Sequence, residues 1–267
     1  MQRLTLAIVQ FPRGDNPEEN VARMAHYLSR ITPGTDLVLL PEDWLGPAVV
    51  DFEEYFKIVE GLATKVSSRR CLLVSGAQYV RCGGRILSRG IFWGGDLDAP
   101  VCFEKLFPSQ AIGERDYIAP GTLLPVVEHR GVKVGAVVCV DLMYPEIARS
   151  LALEGAALIL NPANIPATRM PLWHAVGTAR ACENTVFVAM ANNTATSYAD
   201  GREVMGESFL APPDGYGFLS CGREPGVFYF KLDLARISRV RQRWPYLEDV
   251  ANLTRPPIPV SSFPGKP

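Results

Sequence analysis

The chain has 267 residues, 48% hydrophobic and 21% charged, the profile of a globular protein rather than a disordered or fibrous one. Lys and Arg total 27 against 28 Asp and Glu, a net charge of −1, which excludes a general electrostatic drive toward nucleic acid or an anionic membrane surface. No apolar run approaches the ~18–20 residues of a membrane span, and the N-terminal stretch lacks a small-residue cleavage site, so a cytoplasmic protein is expected.

Leu4–Val9 reads as a strand. Asn16 then offers a helix N-cap, with Pro17 at the first helical position and Glu19 completing a capping-box pattern. Val21, Met24, Ala25 and Leu28 follow at helical spacing. Leu37–Leu40 is a short buried-type strand ending at Pro41-Glu42. Phe52 to Val66 is the clearest helix, since Phe52, Tyr55, Phe56, Val59, Leu62, Ala63 and Val66 make one stripe. Strands are expected at Cys71–Ser75, Gly90–Trp93, Val101–Lys105, Val132–Val138, Ala157–Leu160, Val186–Ala191 and Gly226–Leu232. Helices are expected over Pro145–Leu153 and Trp173–Asn184. Arg236–Arg243 is read as the solvated face of a helix rather than a basic binding patch, and Arg255–Pro267 as an extended tail. With no internal repeat and no dividing linker, residues 1–267 read as one mixed α/β domain.

The cysteines are Cys71, Cys82, Cys102, Cys139, Cys182 and Cys221, and none forms a CxxC pair. Without a secretion signal, a disulfide framework is not expected. His26, His129 and His174 are scattered, with no HExxH or HxH spacing, so no dedicated metal site is expected.

Chemistry is sought where apolar strands end. Cys139, in GVKVGAVVCVDLMYPEIAR, lies between a buried strand and a helix opening at Pro145. That turn can expose a nucleophile where backbone N–H groups face a developing oxyanion, although a single cysteine is more often simply core. Glu42 follows the strand in DLVLLPEDW, and Lys105 ends the apolar run in VCFEKLFPSQ. Each alone reads as a solvated loop charge. Together, the carboxylate can take the thiol proton, the ammonium can stabilise a tetrahedral oxyanion, and the thiol can attack a carbonyl or nitrile carbon.

Leu40–Glu42 (LPE), Lys105–Gly121 (KLFP with GERDYIAPG) and Cys139–Arg149 (CVDLMYPEIAR) resemble the signatures of the nitrilase, or carbon–nitrogen hydrolase, superfamily. Trp173, RACEN (Arg180–Asn184), MGES and PPDG (Met205–Gly215) and PYLED near residue 249 follow in the family's order. The resemblance implies a four-layer α-β-β-α sandwich, usually paired into at least a homodimer. It implies Glu42 as general base, Lys105 as oxyanion stabiliser, Cys139 as nucleophile and Glu114 as a second glutamate that orients the lysine. The backbone N–H of Val140 would share the oxyanion hole. A thioester would form and be hydrolysed, with no metal or organic cofactor.

True nitrilases of this family typically carry Cys-Trp-Glu where this chain has Cys-Val-Asp, so Asp141 leans the resemblance toward amides. D-Amino-acid carbamoylases place two arginines after that Asp, and Leu142 and Met143 stand there instead, so bidentate carboxylate recognition is lost. Asn164 aligns with a pocket-lining asparagine, or else caps a turn. Trp44 and Tyr117 flank the two glutamates as a pocket wall, or else belong to the core. Arg180, Glu183 and Asn184 are assigned to scaffold or dimer packing.

The leading expectation is therefore a hydrolase releasing ammonia or an amine from a small amide. The alternatives are a nitrilase or N-carbamoyl amine hydrolase, a non-catalytic binding or scaffold protein on the same fold, and a Cys–His hydrolase using His129 or His174.

Overall fold

The computed structural model describes residues 3–66 and 70–252, so the Arg255–Pro267 tail lies outside the described residues. In chain order the elements are β1 (Arg3–Pro12), α1 (Pro17–Ser29), β2 (Leu37–Leu39), β3 (Val50–Asp51), α2 (Phe52–Ala63), β4 (Leu72–Cys82), β5 (Arg85–Gly94) and β6 (Val101–Glu104). Then come β7 (Val126–His129), β8 (Val132–Ala136), α3 (Pro145–Leu153), β9 (Leu158–Pro162), α4 (Met170–Asn184) and β10 (Phe187–Ala191). The short strands β11 (Asn193–Thr194), β12 (Thr196–Ser197), β13 (Glu203–Val204), β14 (Phe209–Ala211) and β15 (Leu219–Ser220) precede β16 (Gly226–Asp233), α5 (Ala235–Arg243) and α6 (Tyr246–Ala251).

Two sheets form. In the first, β1, β2 and β4 run parallel at the centre, with β16 antiparallel on one side and β5 and β6 antiparallel on the other. In the second, β8, β9 and β10 are the parallel centre, flanked by antiparallel β7 and β14. Strand alternation sends successive side chains of β1 to opposite layers. Leu4, Leu6 and Ile8 join Leu37, Leu39, Leu72 and Val74 against Val134, Ala136, Leu158 and Leu160 of the second sheet. Ala7, Val9 and Phe11 face Met24 and Leu28 of α1 and Tyr55, Val59 and Leu62 of α2. Ile147 and Leu151 of α3, with Trp173 and Ala181 of α4, cover the other face of the second sheet. The result is the expected α-β-β-α sandwich.

The N-cap expectation holds: the Asn16 side chain accepts the Glu19 N–H at 3.1 Å, with Pro17 at the first helical position. The expected Cys71–Ser75 strand is instead Leu72–Cys82. Gly76 punctuates the sequence as a strand end, but it sits at φ +76 in an irregularity between Val74 and Ala77, after which pairing with β5 resumes. That hairpin closes through Gly83 and Gly84, at φ +57 and +77, the left-handed pair a two-residue turn needs. β7 had no clear sequence signal. α5 carries the Arg236–Arg243 run, with Ile237 and Val240 buried. Arg236 pairs with Asp214 and Arg239 with Asp233, whereas Arg241 lies partly buried and donates to Thr185 Oγ1 at 3.0 Å. Among the described residues no helix is long and apolar enough to cross a membrane.

Candidate active site

Glu42 lies just beyond the C-terminal end of β2, where the chain passes over both sheets. Leu40 N–H bonds to Val74 O (3.0 Å), Glu42 N–H to Ala163 O (3.2 Å) and Asp43 N–H to Ala77 O (2.8 Å). Gly76 permits this crossing, because a Cβ there would stand 2.0 Å from Pro41 O. Asn193, after β10, donates to Glu42 O at 2.7 Å. The glutamate is thus fixed by backbone bonds to neighbouring strands and loops, and its side chain is left for the interior, where it is buried.

Lys105 follows β6 and is 0% exposed. Its N–H bonds to Ser88 O and its carbonyl accepts Gly121 N–H, both at 2.9 Å. The next two N–H groups, of Leu106 and Phe107, are held by the two carboxylate oxygens of Asp141 at 2.8 and 2.9 Å. The Lys105 ammonium bridges two buried carboxylates, reaching Glu42 Oε1 at 2.9 Å and Glu114 Oε1 at 2.7 Å. Glu114 begins a 3-10 turn, where its Oε1 also accepts the Tyr79 hydroxyl at 2.6 Å and its Oε2 accepts the Ser109 N–H.

Cys139 follows β8 and opens the 3-10 turn Cys139–Met143 that leads into α3. It holds φ +48, a left-handed conformation unusual for a side chain bearing Cβ and one that clusters at functional sites. The turn is pinned at both ends. Asn161 donates to Val137 O at 2.8 Å and Cys139 O at 3.2 Å. Arg180 of α4 donates to Leu142 O at 3.0 Å and Met143 O at 2.9 Å. The scaffold role expected of Arg180 is therefore a direct grip on the cysteine's own turn.

Burial dominates the electrostatics. It pushes the Glu42 carboxyl up, against the pull of Lys105 and a hydrogen bond with the Cys139 thiol. It pushes the thiol itself well up, reinforced by Glu42 and opposed by Lys105 and by the Asn164 backbone N–H directed at the sulfur. For Lys105, burial opposes the charge, but Glu42, Cys139 and Glu114 outweigh it and hold the ammonium well above its usual range. The arrangement thus favours a neutral thiol beside a carboxylate acceptor and a fixed ammonium. A proton can pass from sulfur to Glu42 while Lys105 keeps its charge for an oxygen atom.

The structure brings Glu42, Lys105, Glu114 and Cys139 together and sorts the other sequence candidates. Tyr117 stands at the rim, 47% exposed and edge-on to Tyr79 at 6.0 Å. Asn164 is buried, its amide oxygen accepting from Asn193 at 3.0 Å, so its backbone rather than its side chain addresses the cysteine. Val140 follows Cys139 at the start of the 3-10 turn, where first N–H groups lack intrahelical partners. Trp44 is a correction: its indole lies in the helix-facing core, bonded to Ser75 O at 2.8 Å and edge-on to Phe11, and forms no pocket wall. Asp141 faces backbone rather than open space, and Leu142 is fully buried. Neither histidine meets the cysteine. His129 bonds Asp36 O at 3.0 Å and His174 bonds Glu207 O at 3.2 Å. Asp43, Tyr79, Asn193 and Tyr198 were missed by sequence reasoning, although Asp43 stands beside Glu42 in PED. Tyr79 lies in the part of β4 beyond the expected Cys71–Ser75 strand.

Among the described residues no group of three or more His, Cys, Asp or Glu could hold a metal ion. The chain is 25% identical over 255 residues to a 2-oxoglutaramate amidase of Bacillus subtilis, covering 92% of this chain and 97% of that protein. It is 28% identical over 267 residues to an omega-amidase of Danio rerio, covering 94% and 96% of the two chains. The crystal structure of a CN-hydrolase superfamily protein of Xanthomonas campestris superposes with a TM-score of 0.84 at 23% identity, over 93% of this chain and 97% of that one. The family model for carbon–nitrogen hydrolases matches residues 5–242, and the chain belongs to that family.

Proposed function

We propose that this protein hydrolyses the C–N bond of a small linear amide, with Cys139 as nucleophile, Glu42 as general base and acid, and Lys105 as oxyanion stabiliser. The observation that carries this reading is the buried Lys105 ammonium spanning Glu42 and Glu114 at 2.9 and 2.7 Å, with the Cys139 thiol as Glu42's other partner. Glu42 takes the thiol proton as sulfur bonds to the carbonyl carbon. The oxyanion is met by Lys105 Nζ and the Val140 N–H. The intermediate collapses, the C–N bond breaks, and Glu42 returns the proton to the departing ammonia or amine, leaving a thioester on Cys139. Water then attacks the thioester carbon and gives its proton to Glu42. The C–S bond breaks, the carboxylic acid leaves, and the thiol is restored.

Amides are favoured over the alternatives on two grounds. The relatives named above are amidases. Leu142, where the carbamoylases resembled here carry an arginine, is buried in the core and offers a substrate carboxylate nothing. Ammonia release by wild type and Cys139→Ala across short amides, carbamoyl amines and nitriles tests the reading. Amide turnover that vanishes in the variant supports it. Nitrile turnover to acid would replace it with a nitrilase, and silence of the wild type on every compound would favour the binding-protein alternative. The homodimer implied by the family is checked by sedimentation velocity.

A further inference from the structure

Asn193 takes no part in the chemistry above, yet its side chain reaches both halves of the site. It lies just beyond β10, on the short strand β11, fully buried and in register with Phe11 of β1. One amide NH2 makes two bonds: Nδ2 donates to Glu42 O at 2.7 Å and to Asn164 Oδ1 at 3.0 Å. A carbonyl oxygen only accepts, so Glu42 O fixes which way the amide is turned. The Asn193 Oδ1 is then left buried without a hydrogen-bond partner among the described residues.

The two acceptors belong to different sheets. Glu42 follows β2 of the first sheet, and Asn164 follows β9 of the second. The segment 161–164 at the end of β9 also meets both reacting residues: Asn161 donates to Cys139 O at 3.2 Å, and Ala163 O accepts the Glu42 N–H at 3.2 Å. The Glu42 backbone is thus held twice, its N–H by Ala163 and its carbonyl by Asn193, against the segment that anchors the cysteine's turn. A buried, unpaired amide oxygen costs about as much as two ordinary hydrogen bonds return, so stability does not account for the residue. What the amide fixes is the spacing of the two backbones that carry the carboxylate and the thiol.

We infer that Asn193 is a positioning residue for the proton transfer: by holding Glu42 O and Asn164 Oδ1 with one amide, it sets the reach of the Glu42 carboxylate to the Cys139 thiol. This rests on Glu42 acting as the base for Cys139. Proton transfer needs the two groups within hydrogen-bond reach, and a misplacement of about 1 Å can cost about 10² in rate.

Asn193→Leu keeps the size of the side chain and removes both donors, and Asn193→Ser is the milder change to read if the leucine variant does not fold. Gln10→Met is the structural control. Gln10 is equally buried, donates to Gly222 O at 3.0 Å and Glu224 O at 2.7 Å, and accepts the Ser208 N–H at 2.9 Å, none of them residues of the site. The readouts are kcat and KM on a short amide, and the rate of Cys139 alkylation by iodoacetamide at neutral pH, mapped by peptide digestion. Glu42→Gln marks the alkylation rate without the carboxylate. Asn193→Leu should lower kcat about 10²-fold with KM within about threefold, and slow Cys139 alkylation about tenfold or more, toward the Glu42→Gln rate. Folded Gln10→Met should keep both rates within about threefold of wild type. Alkylation slowed in the Asn193 variants and not in the control supports the inference even if no amide is hydrolysed, in which case the amidase reading alone fails. A wild-type alkylation rate in a folded Asn193 variant overturns it, as does an equal loss in Gln10→Met. A Glu42→Gln rate equal to wild type overturns it together with the assignment of the base.

Discussion

Glu114→Gln tests whether Lys105 is held from two sides. Glu114 Oε1 accepts from the Lys105 ammonium at 2.7 Å and the Tyr79 hydroxyl at 2.6 Å, and Oε2 accepts from Ser109 N–H. Glutamine keeps one acceptor oxygen, but its NH2 must then oppose either the Ser109 N–H or the other two donors. A buried N–H left unpaired costs about 1–3 kcal/mol, and a lysine losing one of two buried counter-charges adds to this, toward the ~3–5 kcal/mol of a broken buried pair. Because Gln preserves part of the contact, a loss of about 3 kcal/mol of stability is expected, read by urea unfolding. In the rate, Lys105 is drawn toward Glu42 alone and displaced from the oxyanion. Removing one such donor costs about 10²–10³ in kcat, so kcat should fall by about that factor, with KM changed only a few-fold. Tyr79→Phe removes a single contact and should cost about tenfold, as a lost hydrogen bond of ~1.5 kcal/mol would. A Glu114→Gln enzyme retaining kcat within about threefold would refute the claim that Glu114 positions the lysine.

Three further outcomes are expected. Gly76→Ala places a Cβ 2.0 Å from Pro41 O at φ +76, so unfolding should show a loss of about 3 kcal/mol or more, and a loss below ~1 kcal/mol would contradict the close crossing. Asp141→Asn leaves one of the Leu106 and Phe107 N–H groups facing an NH2, and should lower stability by about 2–4 kcal/mol and kcat by about tenfold through the Lys105 loop, with no rescue by Asp141→Glu. The pH profile follows from Glu42, whose carboxyl burial raises above its ordinary 4.5. Protonated Glu42 cannot take the thiol proton, so kcat/KM should fall as pH is lowered with a midpoint above that value, and a midpoint at or below it would show a different base.

The apolar strands and periodic helices made a mixed α/β domain legible in the sequence, because buried strands leave a strong local pattern. The four-layer arrangement and the roles of Glu42, Lys105 and Cys139 were legible only through the resemblance of the LPE, KLFP and CVDLMYPEIAR segments to the nitrilase superfamily. What was hidden depends on contacts distant in sequence. Asp141 reads as a neighbour of Cys139, yet its oxygens hold the backbone 35 and 34 residues away. Asn193 ties Glu42 to Asn164 across separations of 151 and 29 residues. Trp44 flanks Glu42 in sequence and faces the opposite layer, because the left-handed turn at Asp43 redirects the chain. Gly76, read as punctuation, keeps β4 running and leaves room for the loop that carries Glu42.

The central claim is a covalent acyl group on Cys139, and intact-protein mass spectrometry of enzyme quenched in acid during turnover of a short amide tests it most directly. The account predicts a mass increase equal to the acyl group minus one hydrogen, mapped by peptide digestion to the segment containing Cys139 and absent in Cys139→Ala. Amide hydrolysis undiminished in Cys139→Ala, with no adduct on the wild type, would contradict it.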